Sequence, residues 1–264
     1  MDRPSPENLI LVNRDQNGVA LVTINRPGSL NSLTRSTMVE LAQAFKRLDR
    51  DESVRVIIIA GSGRAFCSGV DLTAAEEVFK GDLKDPESDT ILQMDRCSKP
   101  IIGAVKGFAA TAGFEIALAC DILVAAKGSV FMDTHARLGI FPSWGLSQKL
   151  PRIIGVNRAL EVSLTATHLT AEEAELLGLV NHVVEDGDVL KKSREIAEAI
   201  LRNNWDLVLK YKAIIKDGIK LDLATGLSLE KERAIDYYDG MTKEQFRKMR
   251  EFIAGRGSKI QSKL

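Results

Sequence analysis

A chain of 264 residues with 45% hydrophobic side chains and seven prolines can bury a sizeable core in one domain, or in one domain with an appendage, and is not disordered. Its 36 basic and 36 acidic side chains cancel, which leaves no electrostatic footprint for nucleic acid or for an anionic membrane. No apolar run reaches the roughly 18 residues that span a bilayer, and the opening MDRPSPENLI lacks the basic and apolar regions of a signal peptide, so neither membrane insertion nor secretion is expected.

In chain order, Val19 to Ile24 alternates as a strand and runs into a turn at Asn25-Arg26-Pro27-Gly28. Ser32 to Leu48 has helical spacing, with Leu33, Met38, Leu41, Phe45 and Leu48 facing inward. Val54 to Ala60 reads as a buried strand, followed by the loop GSGRAFCSGVDL, which ends in a small-residue turn at Cys67-Ser68-Gly69. Gly61-Ser62-Gly63 is not a dinucleotide fingerprint, because Phe66 stands where the third glycine belongs. Ala74 to Asp89 is rich in charge and poor in apolar anchors, which predicts a mobile, solvated flap. Ile101 to Val105, Ile122 to Ala126 and Ser129 to Met132 read as further strands, so strand and helix alternate and the fold class is α/β.

From Trp144 the pattern is almost all helical: Gly145 to Ile154, Val156 to Ala166, and Thr170 to Leu177 with Thr170 and Glu173 as a capping box. Leu179 to Val184 is one last short strand, and Asp188 to Arg202, Trp205 to Gly218, Asp222 to Tyr238 and Thr242 to Ile253 are helices. The expected organisation is a core over residues 1–200, a helical region over 201–254 and a flexible tail over 255–264. The apolar faces of that helical region exceed what it can bury alone, and self-association is their expected use. Cys67, Cys97 and Cys120 are odd in number and unclustered, and His135, His168 and His182 match no metal-ligand spacing, so neither a disulfide framework nor a metal is expected.

The most informative stretch is Gly107 to Asp121, GFAATAGFEIALACD, where one carboxylate, Glu115, sits in an apolar segment. The small residues Ala109, Ala110, Ala112 and Gly113 read as a tight strand-to-helix loop, with the helix starting near Ala112. The first N–H groups of a helix have no partner within it and carry partial positive charge, so a ligand oxygen that becomes negative would be stabilised there. Glu115 follows Ala112 by three residues on the same face, so its carboxylate points at the same spot.

Several spaced motifs together carry a resemblance. Asn25-Arg26-Pro27 with Leu30-Asn31-Ser32-Leu33, Arg64 to Leu72, Lys99 to Gly107 leading through Gly113-Phe114-Glu115 to Asp121, Leu138-Gly139 with Pro142, and Leu169 to Ala174 with Gly178-Leu179-Val180 all match in order and spacing. Over roughly residues 8 to 254 the chain resembles the enoyl-CoA hydratase/isomerase, or crotonase, superfamily. The resemblance implies a spiral of βα units in two stacked sheets, and a C-terminal helical part that builds homotrimers, often paired into homohexamers. It also implies an acyl-CoA thioester substrate, coenzyme A being part of that substrate rather than a cofactor.

Residue by residue, the resemblance puts two backbone N–H donors for the thioester oxygen at Val70 and Ala112, flanked by the substrate-contacting Ser68, Gly69, Asp71, Leu72 and Gly113. Thr111 and Ala112 stand where the family usually has glycines. Arg26 resembles a residue near the CoA nucleotide, although a turn arginine is more often solvated, and Asp71 can instead cap the helix after the turn. Glu115 matches the glutamate that activates water, and burial should raise its pKa toward a useful range. The family's second glutamate falls at His135, with Asp133 before it. His135 is then either the acid that protonates the α-carbon or a bystander that orients Glu115. Cys67 and Cys120 read as packing residues rather than nucleophiles.

The chain closes on Ser262-Lys263-Leu264, a peroxisomal address read by an import receptor at a free C-terminus. The expected function is reversible hydration of a trans-2-enoyl-CoA to a 3-hydroxyacyl-CoA in β-oxidation in the peroxisomal matrix. An enoyl-CoA double-bond isomerase is the alternative within the same fold. A non-catalytic binder of acyl-CoA or RNA is the alternative of another class, opposed by Glu115 and by the balanced charge.

Overall fold

The structure, a computed structural model, describes residues 8–74, 76, 78 and 89–251. Most of the expected flap and the whole of residues 255–264 therefore lie outside the described residues, as does the end of the last expected helix. The chain divides into two compact units, one ending at Leu209 and the other beginning at Lys210.

The first unit holds two sheets. The larger has six strands: β1 Ile10–Arg14, β2 Val19–Ile24, β3 Val56–Gly61, β4 Ile101–Val105, β6 Ile122–Ala126 and β9 His182–Val184, adjacent in that order. β1 pairs antiparallel with β2 and all the other pairings are parallel. The smaller sheet has β7 Val130–Met132 at its centre, parallel to β5 Phe108–Ala110 and antiparallel to β8 His168–Thr170. The large sheet is covered on both sides, which is why β3 and β4 are near-continuous β-branched runs rather than alternating ones. Ile57 and Ile59 join one buried cluster, with Leu41, Phe45 and Phe114; Val56 and Ile58 point into a second, with Val189 and Ala197. That split follows from the two-residue period of a strand.

The helices of this unit begin with α1 Arg35–Arg50, capped by Thr34, whose side chain accepts from the Thr37 N–H. Met38, Leu41, Phe45 and Leu48 are buried along it, at roughly 1.5–3 kcal/mol each. Lys99 closes its far end by donating to the carbonyls of Leu48 and Asp51. Next come α2 Thr90–Arg96, α3 Ala112–Ala119, α4 His135–Leu138, α5 Leu146–Ile154, α6 Val156–Thr165, α7 Ala171–Leu176 and α8 Val189–Leu201. The capping box is present at the start of α7, where Thr170 and Glu173 bond reciprocally. α9 Trp205–Gly218 crosses from the first unit into the second, which continues with α10 Leu223–Asp239 and helical residues 243–251.

Three expectations need correction. Ala109 and Ala110 belong to strand β5 rather than to a loop, because their small side chains let β5 run beside Cys67, with which Ala109 forms a parallel bridge. A strand, β8, stands between the helices expected over Val156 to Ala166 and Thr170 to Leu177, its Leu169 pairing with Phe131 of β7. Asp89 is a helix cap rather than part of a solvated flap, its side chain accepting from the Leu92 N–H.

Candidate active site

Helix α3 carries the base candidate at its N-terminus, and every residue of it is buried. Phe114 packs against Phe131 of β7, ring centroids 5.3 Å apart, which fixes the helix against the small sheet. Glu115 is 2% exposed, and its Oε1 accepts from the Trp144 N–H at 2.9 Å and from the Leu146 N–H at 3.3 Å. Burial pushes its carboxyl above the usual range, against the opposing pull of His135 and of those two amides.

His135, the first residue of α4, is 5% exposed. Its Nε2 lies 3.8 Å from Glu115 Oε2, and its Nδ1 lies 2.7 Å from Asp133 Oδ1. Burial acts to raise the Asp133 carboxyl, but bonds from the His135 and Ser163 side chains and from the His135 amide hold it below the usual range. The three side chains thus form a line, Asp133–His135–Glu115, inside the core.

The segments that carry Val70 and Ala112 lie side by side, joined where the Ala110 N–H donates to the Cys67 carbonyl. Leu33 N–H donates to the Gly69 carbonyl at 2.8 Å and Asp71 N–H to the Leu33 carbonyl at 2.9 Å. Successive N–H groups of an extended chain point to opposite edges, so that of Val70 points away from Leu33. Ala112 opens α3, where an N–H has no partner within the helix. Gly69 holds a φ of +99°, and a Cβ there would stand 3.1 Å from the Ala110 carbonyl oxygen. Thr111, between β5 and α3, adopts φ 52° and ψ −112°, a sparsely populated conformation for a residue with a side chain. It is held by its N–H on the Met132 carbonyl and by its hydroxyl on that of Thr134.

A cavity of about 70 Å³ is lined by Ser68, Val70, Leu72, Ala112, Glu115 and His135, with Trp144 among its other walls. Glu115, His135, Val70 and Ala112 therefore line one space. Gly69 and Gly113 do not line it. Neither Arg26 nor Asp71 lines this cavity: Arg26 donates to Ser32 and, at 3.2 Å, to Asp71 Oδ2, while Asp71 Oδ1 accepts from the Thr73 hydroxyl at 2.7 Å. Asp71 Oδ1 also accepts from the Thr73 N–H at 3.2 Å, at the start of the short turn Leu72–Ala74, and Arg26 is a largely buried partner of Asp71 rather than a solvated turn residue.

Burial drives the Cys67 thiol up to about 12, which removes it as a nucleophile. Among the described residues no group of three or more His, Cys, Asp or Glu side chains could hold a metal ion, and no helix is long and apolar enough to cross a membrane. Three contributors carried no sequence signal: the Trp144 and Leu146 amides, which are main chain, and Ser163, which reaches Asp133 from α6.

The sequence profile of the enoyl-CoA hydratase/isomerase family matches residues 14–253. A protein of Arabidopsis thaliana named probable enoyl-CoA hydratase 1, peroxisomal, is 69% identical over 259 residues, covering 98% of each chain. A crystal structure of enoyl-CoA hydratase from Bacillus anthracis, 33% identical, superposes with a TM-score of 0.85 over 94% of this chain and 97% of that one. One of a monofunctional enoyl-CoA isomerase from M. smegmatis, 36% identical, does so at 0.72 over 83% and 97%. On a profile match of this length, the chain belongs to the enoyl-CoA hydratase/isomerase family.

Proposed function

We propose that this protein reversibly adds water across the 2,3 double bond of a trans-2-enoyl-CoA to give a 3-hydroxyacyl-CoA. The observation that carries the reading is the convergence of Glu115, His135, Val70 and Ala112 on one cavity. The Val70 and Ala112 amides receive the thioester oxygen, drawing electron density from the β-carbon; one such donor is worth roughly 2.7–4 kcal/mol in other enzymes. Glu115 accepts a proton from water as the water oxygen bonds to the β-carbon, and the resulting enolate takes a proton at the α-carbon from the Nε2–H of a His135 imidazolium, which leaves the ring neutral. The proton on Glu115 then passes to His135 and restores both groups. A gap of 3.8 Å must close or be bridged for that last step, as is common in empty sites. These steps move protons and one water and exchange no electrons with a second reagent.

The peroxisomal matrix is the proposed location, supported by the name of the Arabidopsis relative and by the tripeptide Ser262-Lys263-Leu264, which would engage an import receptor. A homotrimer or homohexamer is the proposed assembly, supported by exposed apolar side chains such as Leu164 and Leu176 in the first unit and Ile219 and Leu223 in the second.

The deciding experiment incubates pure protein with a panel of 2-enoyl-CoA and 3-enoyl-CoA thioesters and separates hydrated from isomerised products. Hydration of the 2-enoyl series is expected. Migration of the double bond alone would make the protein an isomerase, and binding without turnover would make it a carrier of CoA esters.

A further inference from the structure

Asp133 sits outside the cavity lining, yet it is 3% exposed and fully engaged with the residue that reaches the cavity. Its Oδ1 takes two bonds from the same residue, from the His135 amide at 3.1 Å and from His135 Nδ1 at 2.7 Å, and Ser163 holds the carboxylate from helix α6. A carboxylate only accepts in its ionised form, so the ring nitrogen facing it must be the protonated one. Its bond to the His135 main chain also ties the carboxylate to the start of α4, which leaves the imidazole one orientation. The remaining nitrogen, Nε2, is thereby the one turned toward Glu115 and the cavity.

We infer that Asp133 is a positioning residue for hydration: through its two bonds to His135 it holds one proton on Nδ1 throughout, so that the second proton of the imidazolium sits on Nε2, is delivered from there to the α-carbon and is recovered there. This inference rests on the proposed hydratase reading and on His135 as the acid within it. A carboxyl at position 135 needs no such help, because either of its oxygens can carry the proton. An imidazolium has two unlike nitrogens and only its Nε2–H faces the cavity, so the group behind the ring has to hold Nδ1–H in place and fix the neutral form left after delivery as the Nδ1–H tautomer, whose bare Nε2 can take the proton back. The dependence on a buried anion thus comes with the histidine. The cycle balances as before, the proton leaving Nε2 for carbon being replaced by the one Glu115 took from water, while Asp133 neither gains nor loses one.

The test uses full-length protein and crotonyl-CoA. Asp133→Asn keeps the shape and removes the charge; Asp133→Ala removes the acceptor as well. Expected are a fall in kcat of at least tenfold for the first and about a hundredfold for the second, with KM changed less than threefold in both. In a His135→Ala background, adding Asp133→Asn is expected to change kcat by less than twofold, because Asp133 acts only through the imidazole. Nitrogen-15 spectra of the three histidines provide a readout independent of activity. The Nδ1-bound proton of His135 should be present in wild type and lost in Asp133→Ala. Both Asp133 variants turning over within threefold of wild type would overturn the inference. So would an equal loss on adding Asp133→Asn to the His135→Ala protein, or an unchanged His135 nitrogen pattern. If wild type hydrates no enoyl-CoA, the functional reading fails, while the nitrogen spectra still decide whether Asp133 sets the tautomer.

Discussion

Gly113 and Cys67 touch so closely that a Cβ on Gly113 would lie 2.2 Å from the Cys67 carbonyl oxygen. The contact clamps the first turn of the Glu115 helix onto the segment leading to Val70, and so sets the spacing of the two amides proposed to receive the thioester oxygen. Gly113→Ala is expected to cost about 1–3 kcal/mol in urea unfolding, since backbone must shift to admit the methyl group, and to lower kcat by spreading the donors. A variant that melts with wild type and turns over at its rate would show that the clamp is loose.

Glu115→Gln keeps the shape and removes the proton acceptor, and hydration is expected to fall at least about a hundredfold with acyl-CoA binding nearly unchanged. Stability should move the other way. Burial raises the Glu115 carboxyl pKa in the folded state, so its contribution is fully present below the unfolded value near 4.5 and is lost as pH rises through the folded value. The glutamine carries no such penalty. Thermal melts should therefore show the variant gaining on wild type from acid to neutral pH, and a constant difference across that window would contradict the raised carboxyl.

His135→Ala is expected to lose most of the hydration rate, and His135→Glu to retain or raise it by restoring a carboxyl at that position. Steady-state kinetics with crotonyl-CoA decide the matter. An alanine variant within a few-fold of wild type would leave Glu115 to perform both proton transfers.

Arg26 and Asp71 join the turn after β2 to the segment carrying Val70, 45 residues further along the chain. A double-mutant cycle of Arg26→Ala and Asp71→Ala is expected to give a coupling of about 1 kcal/mol in unfolding. Bonds from Thr73, then Arg26 and Ser32, hold the Asp71 carboxyl below its usual value against desolvation, so its stabilisation is present above about 3.8 and is lost as pH falls through the folded value. Coupling of zero would reduce the pair to proximity.

Removal of Ser262 to Leu264 is expected to leave hydration in vitro unchanged and to move the protein from peroxisomes to the cytosol in cell fractionation or fluorescence imaging. Undiminished import would show that another part of the chain carries the address.

The sequence made legible what local pattern controls. The run Ile101 to Val105 could only be a buried strand, and an acid within Phe114 to Ala119 had to be explained, so β4, α3 and Glu115 were accessible from their neighbours alone. β1 was not, because Ile10–Arg14 is a half-buried edge strand with little alternation, and α2 has only seven residues, too few for a clear helical period. The Arg26–Asp71 strut joins distant segments, and the Trp144 amide that grips Glu115 has no side-chain signature. The meeting of Glu115 with His135 depends on the small sheet, of which the sequence announced only its central strand β7; the other two, β5 and β8, have three residues each and too little pattern to show.

That small sheet bears on how such a site can change over generations. Ala110 pairs with Met132, and the chain leaves this single rung in two directions of inheritance: one branch reaches Glu115, the other His135. The rung is made of main chain, so the distance between positions 115 and 135 is fixed before either side chain is chosen. A lineage can therefore exchange the residue at 135 without rebuilding position 115, and the chemical identity of that side chain becomes free to drift provided that its supporting neighbours drift with it.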